Sequence, residues 1–350
     1  MAQIFRRLER SMSGRLRLAP ALLVAALGAA LALYMAPSRA RSTVNPSPAR
    51  AVGAVAIPVA DMERSIAFYS TVLFFEKVSD VETTGPEIES LFGASDRVRV
   101  VTMSLGAERI ELVHDGVRRP IAANAPDSGR SSEHIAIVVN DLDQALLWLR
   151  RNHVAETAPA PDRNPSAGGV RTLSIADPDG HALEILQFQA GKGDARWQRP
   201  SDRVFLGIDH ASVVVGDTET SLRFYRDLLG FRVVGGSESA AGTDQEIMND
   251  GPGARARVTT LRAAKGPAIQ LLEFHGRRDT RPSTRDAGDD RAGRRTVLIT
   301  ADAGAAASKL GNASGRARPA VVSLADAPLG FRRGFAAEDP DGNRIQLRSR

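Results

Sequence analysis

At 350 residues, with 43% hydrophobic and 25% charged side chains, the chain holds enough material for two globular domains of ordinary soluble composition plus a short tail. It contains no cysteine, which excludes disulfide frameworks, thiolate metal sites and cysteine nucleophiles and leaves His, Asp, Glu or water to hold any metal. The net charge is +5 although the pI is about 10.0, and Arg6, Arg7, Arg10, Arg15 and Arg17 cluster in the tail, so no nucleic-acid partner is expected.

Behind those arginines, residues 18–35 carry no charge, and Ala36-Pro37-Ser38-Arg39-Ala40 offers small residues at plausible cleavage positions. Residues 1–40 therefore read as a cleaved signal peptide or an uncleaved membrane anchor. Either reading places the folded part outside the cytoplasm, periplasmic in a Gram-negative cell, with membrane contact only through an uncleaved segment. Residues 41–50, with Pro46 and Pro48, form a linker.

A strand is expected over 52–59, followed by a helix capped by Asp61 whose apolar residues Ile66, Phe68, Tyr69, Val72 and Leu73 recur at helical spacing. Strands at 98–104 and 109–113 complete a βαβββ outline. A second module follows, with a strand at 133–139, a helix at 141–152 and strands at 172–175 and 182–188. Its segment 158–169, rich in Pro, Gly and Asp, is a lid candidate or a solvated connection. Residues 191–204 link to a third module whose strand holds His210 and whose helix runs from Asp217 to a C-terminal Gly230. The segment 276–295, dense in Arg and Asp, reads as a solvated loop.

The modules repeat. Asp61, Ser65, Phe68, Tyr69 and Leu73 recur at identical spacing as Asp217, Ser221, Phe224, Tyr225 and Leu229, and Asp177-Pro178-Asp179-Gly180 recurs as Asp339-Pro340-Asp341-Gly342. Four units open at Ala54, His134, His210 and Arg295 and close at Glu111, Glu184, Gln270 and Gln346, alternating long and short. The fold class is α+β: four βαβββ modules in two domains, at 51–190 and 205–350. With both domains in one chain, a monomer is expected.

His134 shares a face of its strand with Ala136 and Val138, and Glu184 shares one with Leu186 and Phe188. A glutamate among apolar neighbours is costly to bury without a cation or a proton, which is the chemical case for a metal. Phe68-Tyr69, Phe224-Tyr225 and Phe74-Phe75 read as core, and His114, His153, His181 and His275 as solvated. No phosphate loop, nucleophile elbow or His-Glu-x-x-His helix is present.

The run Ile208-Asp209-His210-Ala211-Ser212-Val213, with Asp217 and Phe224 through Phe231, resembles the vicinal oxygen chelate superfamily of glyoxalases, bleomycin-resistance proteins and extradiol dioxygenases. So do His134 through Val139 and Asp177 through Ile185. The resemblance covers about 300 residues, everything after the linker. It implies open, cup-shaped barrels with a divalent ion (Zn, Mn, Ni or Fe) on the floor, held by residues of each module's first and last strands. Carried over, the first domain offers Glu111, His134 and Glu184 as metal ligands, with Ala54 where a histidine is common. The second offers His210, Gln270, Arg295 and Gln346, which read as non-ligating because a fixed positive charge and two amides replace better donors. His210 is then expected to be hydrogen-bonded, and Glu273 to point away from the cup.

The activity implied is that of a metal-dependent lyase or isomerase resembling glyoxalase I. It would bind a small substrate through adjacent oxygens and move a proton through an enediolate, with Glu111 or Glu184 as base. A donor set with one histidine and two carboxylates ranks ring-cleaving dioxygenation lower. The alternatives are sequestration of a small molecule, as in the bleomycin-resistance branch, and a structural or interaction role.

Overall fold

The computed structural model describes residues 48–93, 97–116, 133–157, 169–238, 255–275, 294–314 and 318–350. The expected signal or anchor, and segment 158–168 of the expected lid, lie outside the described residues. Among the described residues no helix is long and apolar enough to cross a membrane.

Module one comprises β1 (Ala51–Pro58), α1 (Met62–Ala67, continued as a π-helical turn Phe68–Val72), β2 (Glu76–Thr84), α2 (Pro86–Phe92), β3 (Arg97–Leu105) and β4 (Glu108–His114). Module two comprises β5 (Ile135–Val139), α3 (Leu142–Arg151), β6 (Val170–Ala176) and β7 (Ala182–Phe188). An isolated bridge pairs Glu156, which follows α3, with Ile175 of β6. Module three comprises β8 (Phe205–Val214), α4 (Thr218–Leu222, with a π-helical turn Arg223–Leu228), β9 (Arg232–Glu238), β10 (Arg255–Arg262) and β11 (Ala268–His275). Module four comprises β12 (Arg295–Ile299), α5 (Ala303–Ser314), β13 (Val322–Ser323), β14 (Arg333–Glu338) and β15 (Arg344–Ser349).

Four α-helices start on an aspartate whose carboxylate accepts from the first-turn amides: Asp61 from Arg64, Asp141 from Asp143 and Gln144, Asp217 from Thr220, and Asp302 from Gly304 and Ala305. Each cap contributes about 1 kcal/mol. The strands build two mixed sheets, ordered β13-β14-β15-β12-β1-β4-β3-β2 and β6-β7-β5-β8-β11-β10-β9. In both, the opening strands of two modules meet antiparallel, β1 with β12 and β5 with β8, and each is flanked by its own closing strand in parallel. Module one therefore shares a sheet with module four, and module two with module three.

Hydrophobic packing follows a different grouping. One core joins Val55, Ile57, Tyr69 and Leu112 of module one to Ile137, Leu149 and Ile185 of module two, together with Phe205 and Ile208. A second joins Leu229, Tyr225 and Leu271 of module three to Leu298, Leu310 and Phe335 of module four. Consecutive modules thus share a core, while each sheet bridges the two cores. Because side chains alternate along a strand, the residues between the core positions face the cups.

The repeated Tyr and Asp motifs meet across each core. Tyr69 donates its hydroxyl to Asp177 at 3.0 Å and Tyr225 to Asp339 at 2.9 Å, and all four residues are buried. Burial followed by the facing carboxylate pushes both phenols well above their ordinary value. Phe75 is buried as expected, but Phe74 turns outward at φ 59° and is 41% exposed. His181, expected in solvent, is buried with Nε2 2.7 Å from the Pro58 carbonyl, and burial lowers its pKa. Arg295, read both as the end of the 276–295 loop and as the opening position of module four, is buried at the start of β12, as the second reading has it.

Candidate metal centre

The cup of modules two and three gathers His134, immediately before β5, Glu184 on β7 and His210 on β8. Glu184 lies opposite Ala136, and Ala136 opposite His210, across the central strand pairs. The Nε2 atoms of the two histidines are 3.2 Å apart, and Glu184 Oε2 lies 3.4 Å from His134 Nε2 and 3.8 Å from His210 Nε2. The triangle so defined has a centre about 2.0 Å from each atom, the length of a metal bond to imidazole or carboxylate. All three side chains are buried.

Each imidazole is turned by its other nitrogen. His134 Nδ1 is 2.9 Å from Ser212 Oγ, which also accepts the His134 amide at 2.7 Å and donates to the His134 carbonyl at 3.3 Å. His210 Nδ1 is 3.1 Å from Asp209 Oδ2. With a proton on each Nδ1, both Nε2 lone pairs point at the shared centre. Burial alone would raise the Glu184 carboxyl, but the imidazoles of His134 and His210 prevail and hold it below its usual value. Asp209 follows the same pattern: burial opposes ionisation, while His210, Arg262 and Trp197 hold it well below the carboxylate range.

The surrounding cup face is apolar. Ala136, Val138, Leu186, Phe188 and Trp197 cluster on one side, and Val214, Leu272 and Phe274 on the other. Gln270 occupies on β11 the position that Glu184 occupies on β7, its Cα opposite Ser212. Glu273 points away from the cup, accepting the Thr218 amide at the start of α4.

Two expectations require correction. Glu111 does not join His134 and Glu184, because its strand lies in the other sheet, where Arg348 grips it with two bonds of 2.6 and 2.8 Å. His210, expected to be hydrogen-bonded only, is hydrogen-bonded through Nδ1 and presents Nε2 to the cluster. Its partners are in module two rather than module four, so Arg295 does not repel a cation there.

The cup of modules one and four is filled. Ile88, Leu91 and Phe92 of α2 pack on Ala54, Ala56 and Val297. Gln346 donates to the Leu91 carbonyl at 2.9 Å and Arg295 to the Phe92 carbonyl at 2.5 Å, so both side chains satisfy carbonyls at the end of the helix. Asp209 is an extra residue in a bulge of β8, and its counterpart in the β1 bulge is Gly53. A Cβ there would meet Ile299 Cδ1 at 2.7 Å. The filled cup has Gly53-Ala54 where the other has Asp209-His210. Ser212, Asp209 and Trp197 were not picked out from sequence, although the Asp209-His210 pair was a visible signal.

Comparisons with known proteins agree with this architecture. The profile described as glyoxalase/bleomycin resistance protein/dioxygenase superfamily matches residues 51–185 and 207–347. A lactoylglutathione lyase of Salmonella typhimurium is 28% identical over 137 residues, 39% of this chain and 91% of that protein. Glyoxalase I from Zea mays superposes with a TM-score of 0.56 at 15% identity, over 85% of this chain and 92% of that one. A putative dioxygenase from Bacillus subtilis gives 0.54 at 13% identity, over 87% and 86%. These two structures share the fold. With both pairs of modules matched and the tandem fold in place, the chain belongs to the glyoxalase/bleomycin resistance protein/dioxygenase superfamily.

Proposed function

We propose that the cup of modules two and three holds one divalent ion through His134, His210 and Glu184, and that the protein is a metal-dependent enzyme acting on a small substrate with two adjacent oxygens. The observation that carries this is the buried triangle of donor atoms with a common centre at bonding distance. When bound, the ion would supply Lewis-acid activation of the substrate oxygens. His134, His210 and Glu184 contribute three donors and leave further positions for substrate, while Val138, Leu186, Leu272 and Trp197 shield the site from water and suit an apolar substrate body.

Two chemistries fit the family, and the donor set weighs between them. Proton transfer in a lyase or isomerase needs a base, and Glu184 is the one carboxylate in the cluster; Gln270 opposite cannot take a proton. Glu184 would have to leave the ion to two imidazoles while acting as base. Two histidines and one carboxylate with open positions is the arrangement of non-haem iron(II) oxygenases. The reason for ranking dioxygenation lower therefore disappears, and oxygen-dependent cleavage of a vicinal diol such as a catechol is the reading the geometry favours. The lyase reading is supported by the likeness to the Salmonella enzyme.

The test is to load the protein separately with Fe(II), Zn, Mn and Ni and to assay oxygen uptake with catechols and isomerisation of the methylglyoxal–glutathione hemithioacetal. Oxygen uptake confined to the iron form is expected. Isomerisation without oxygen uptake would return the lyase to first place. Tight ligand binding unaffected by chelator, with no turnover, would instead support sequestration.

A further inference from the structure

We infer that Asp209 is a positioning residue that fixes His210 in the Nδ1–H tautomer and so makes its Nε2 a ligand. This rests on the metal-centre reading above. Asp209 is the extra residue of the β8 bulge, which brings its carboxylate alongside the ring of the next residue. Oδ2 faces His210 Nδ1 at 3.1 Å. Oδ1 accepts Trp197 Nε1–H at 3.1 Å and Arg262 Nη2–H at 2.8 Å. The three donors come from the linker between the domains, from β10 and from His210 itself, so the carboxylate is held from both sides. In the filled cup, Gly53-Ala54 lacks both the carboxylate and the imidazole it would orient.

This geometry makes Asp209→Asn a sharp probe. Two donors converge on Oδ1, so the amide oxygen must stay there, and the NH2 group replaces Oδ2 beside His210. That group cannot accept a hydrogen bond. Nδ1 then becomes the acceptor, the ring proton moves to Nε2, and the lone pair aimed at His134 and Glu184 is lost. Asp209→Ala removes more bonds but leaves the imidazole free to choose its tautomer.

The full-length protein and both variants are stripped of metal. Two-bond 1H–15N spectra then report the His210 tautomer, chelator competition gives zinc affinity, and thermal melts report folding. Expected are Nδ1–H in the wild type and Nε2–H in Asp209→Asn, with zinc binding weakened roughly 10- to 100-fold in that variant. Asp209→Ala should bind zinc better than Asp209→Asn while melting lower. A structural role alone would reverse that order of zinc affinities. Wild-type zinc binding with an unchanged tautomer and affinity in Asp209→Asn would overturn the inference and leave the metal reading standing. A wild type that binds no divalent ion would overturn both.

Discussion

Replacing Arg348 by methionine isolates what the filled cup contributes. The side chains of Arg348 and Glu111 are 4% and 8% exposed, and two hydrogen bonds join them; Arg348 Nε also donates to Gln346 Oε1 at 2.7 Å, and its guanidinium lies 4.6 Å from the Phe331 ring centre. Arg348→Met leaves the Glu111 carboxylate buried without its partner, a change that costs about 3–5 kcal/mol. A Glu111→Leu, Arg348→Met double variant removes both charges and should return to within about 1 kcal/mol of wild type. Urea unfolding at about pH 7.5 measures these differences, and metal content should be the same in all three proteins. A single-variant deficit below about 1 kcal/mol at pH 7.5, or loss of bound metal, would refute the assignment of this cup as a structural element.

Gln270→Glu adds a second carboxylate beside the cluster and is expected to tighten divalent-metal binding and raise proton-transfer activity relative to oxygen uptake, measured by chelator competition and the two assays on one preparation. On the β2–β3 edge, Arg99 forks onto Asp80 with two bonds of 2.8 Å and holds its carboxyl down to about 2. A depressed folded pKa means stability present above about pH 4 and lost as pH falls towards 2. Solvent exposure of the pair reduces the contribution to about 1 kcal/mol, and Arg99→Met should flatten that part of the acid unfolding curve.

Much of the architecture was legible because the repeat is written in residue identities. Asp61, Asp141 and Asp217 cap helices, and the alternation around His134 and Glu184 separates core from cup. What could not be read was which modules share a sheet. Consecutive modules share a core, which favours grouping them, yet β1 pairs with β12, a strand more than 200 residues away. That pairing is decided by the match of the opening strands of two modules, and local pattern does not encode it. The misplacement of Glu111 and the dismissal of His210 both follow from it. The β8 bulge was also hidden, since an extra residue in a strand is visible only against its partner. The tyrosines were read correctly as core, but a buried hydroxyl needs an acceptor, and Asp177 and Asp339 were available in the other half of each repeat pair.

Metal content per chain tests the central claim most directly. Protein purified without chelator, and then incubated with Fe(II), Zn, Mn or Ni, should carry one divalent ion per chain, lost in His210→Ala and retained in Glu111→Gln. Loss in Glu111→Gln with retention in His210→Ala, or no ion in the wild type under any condition, would contradict the account.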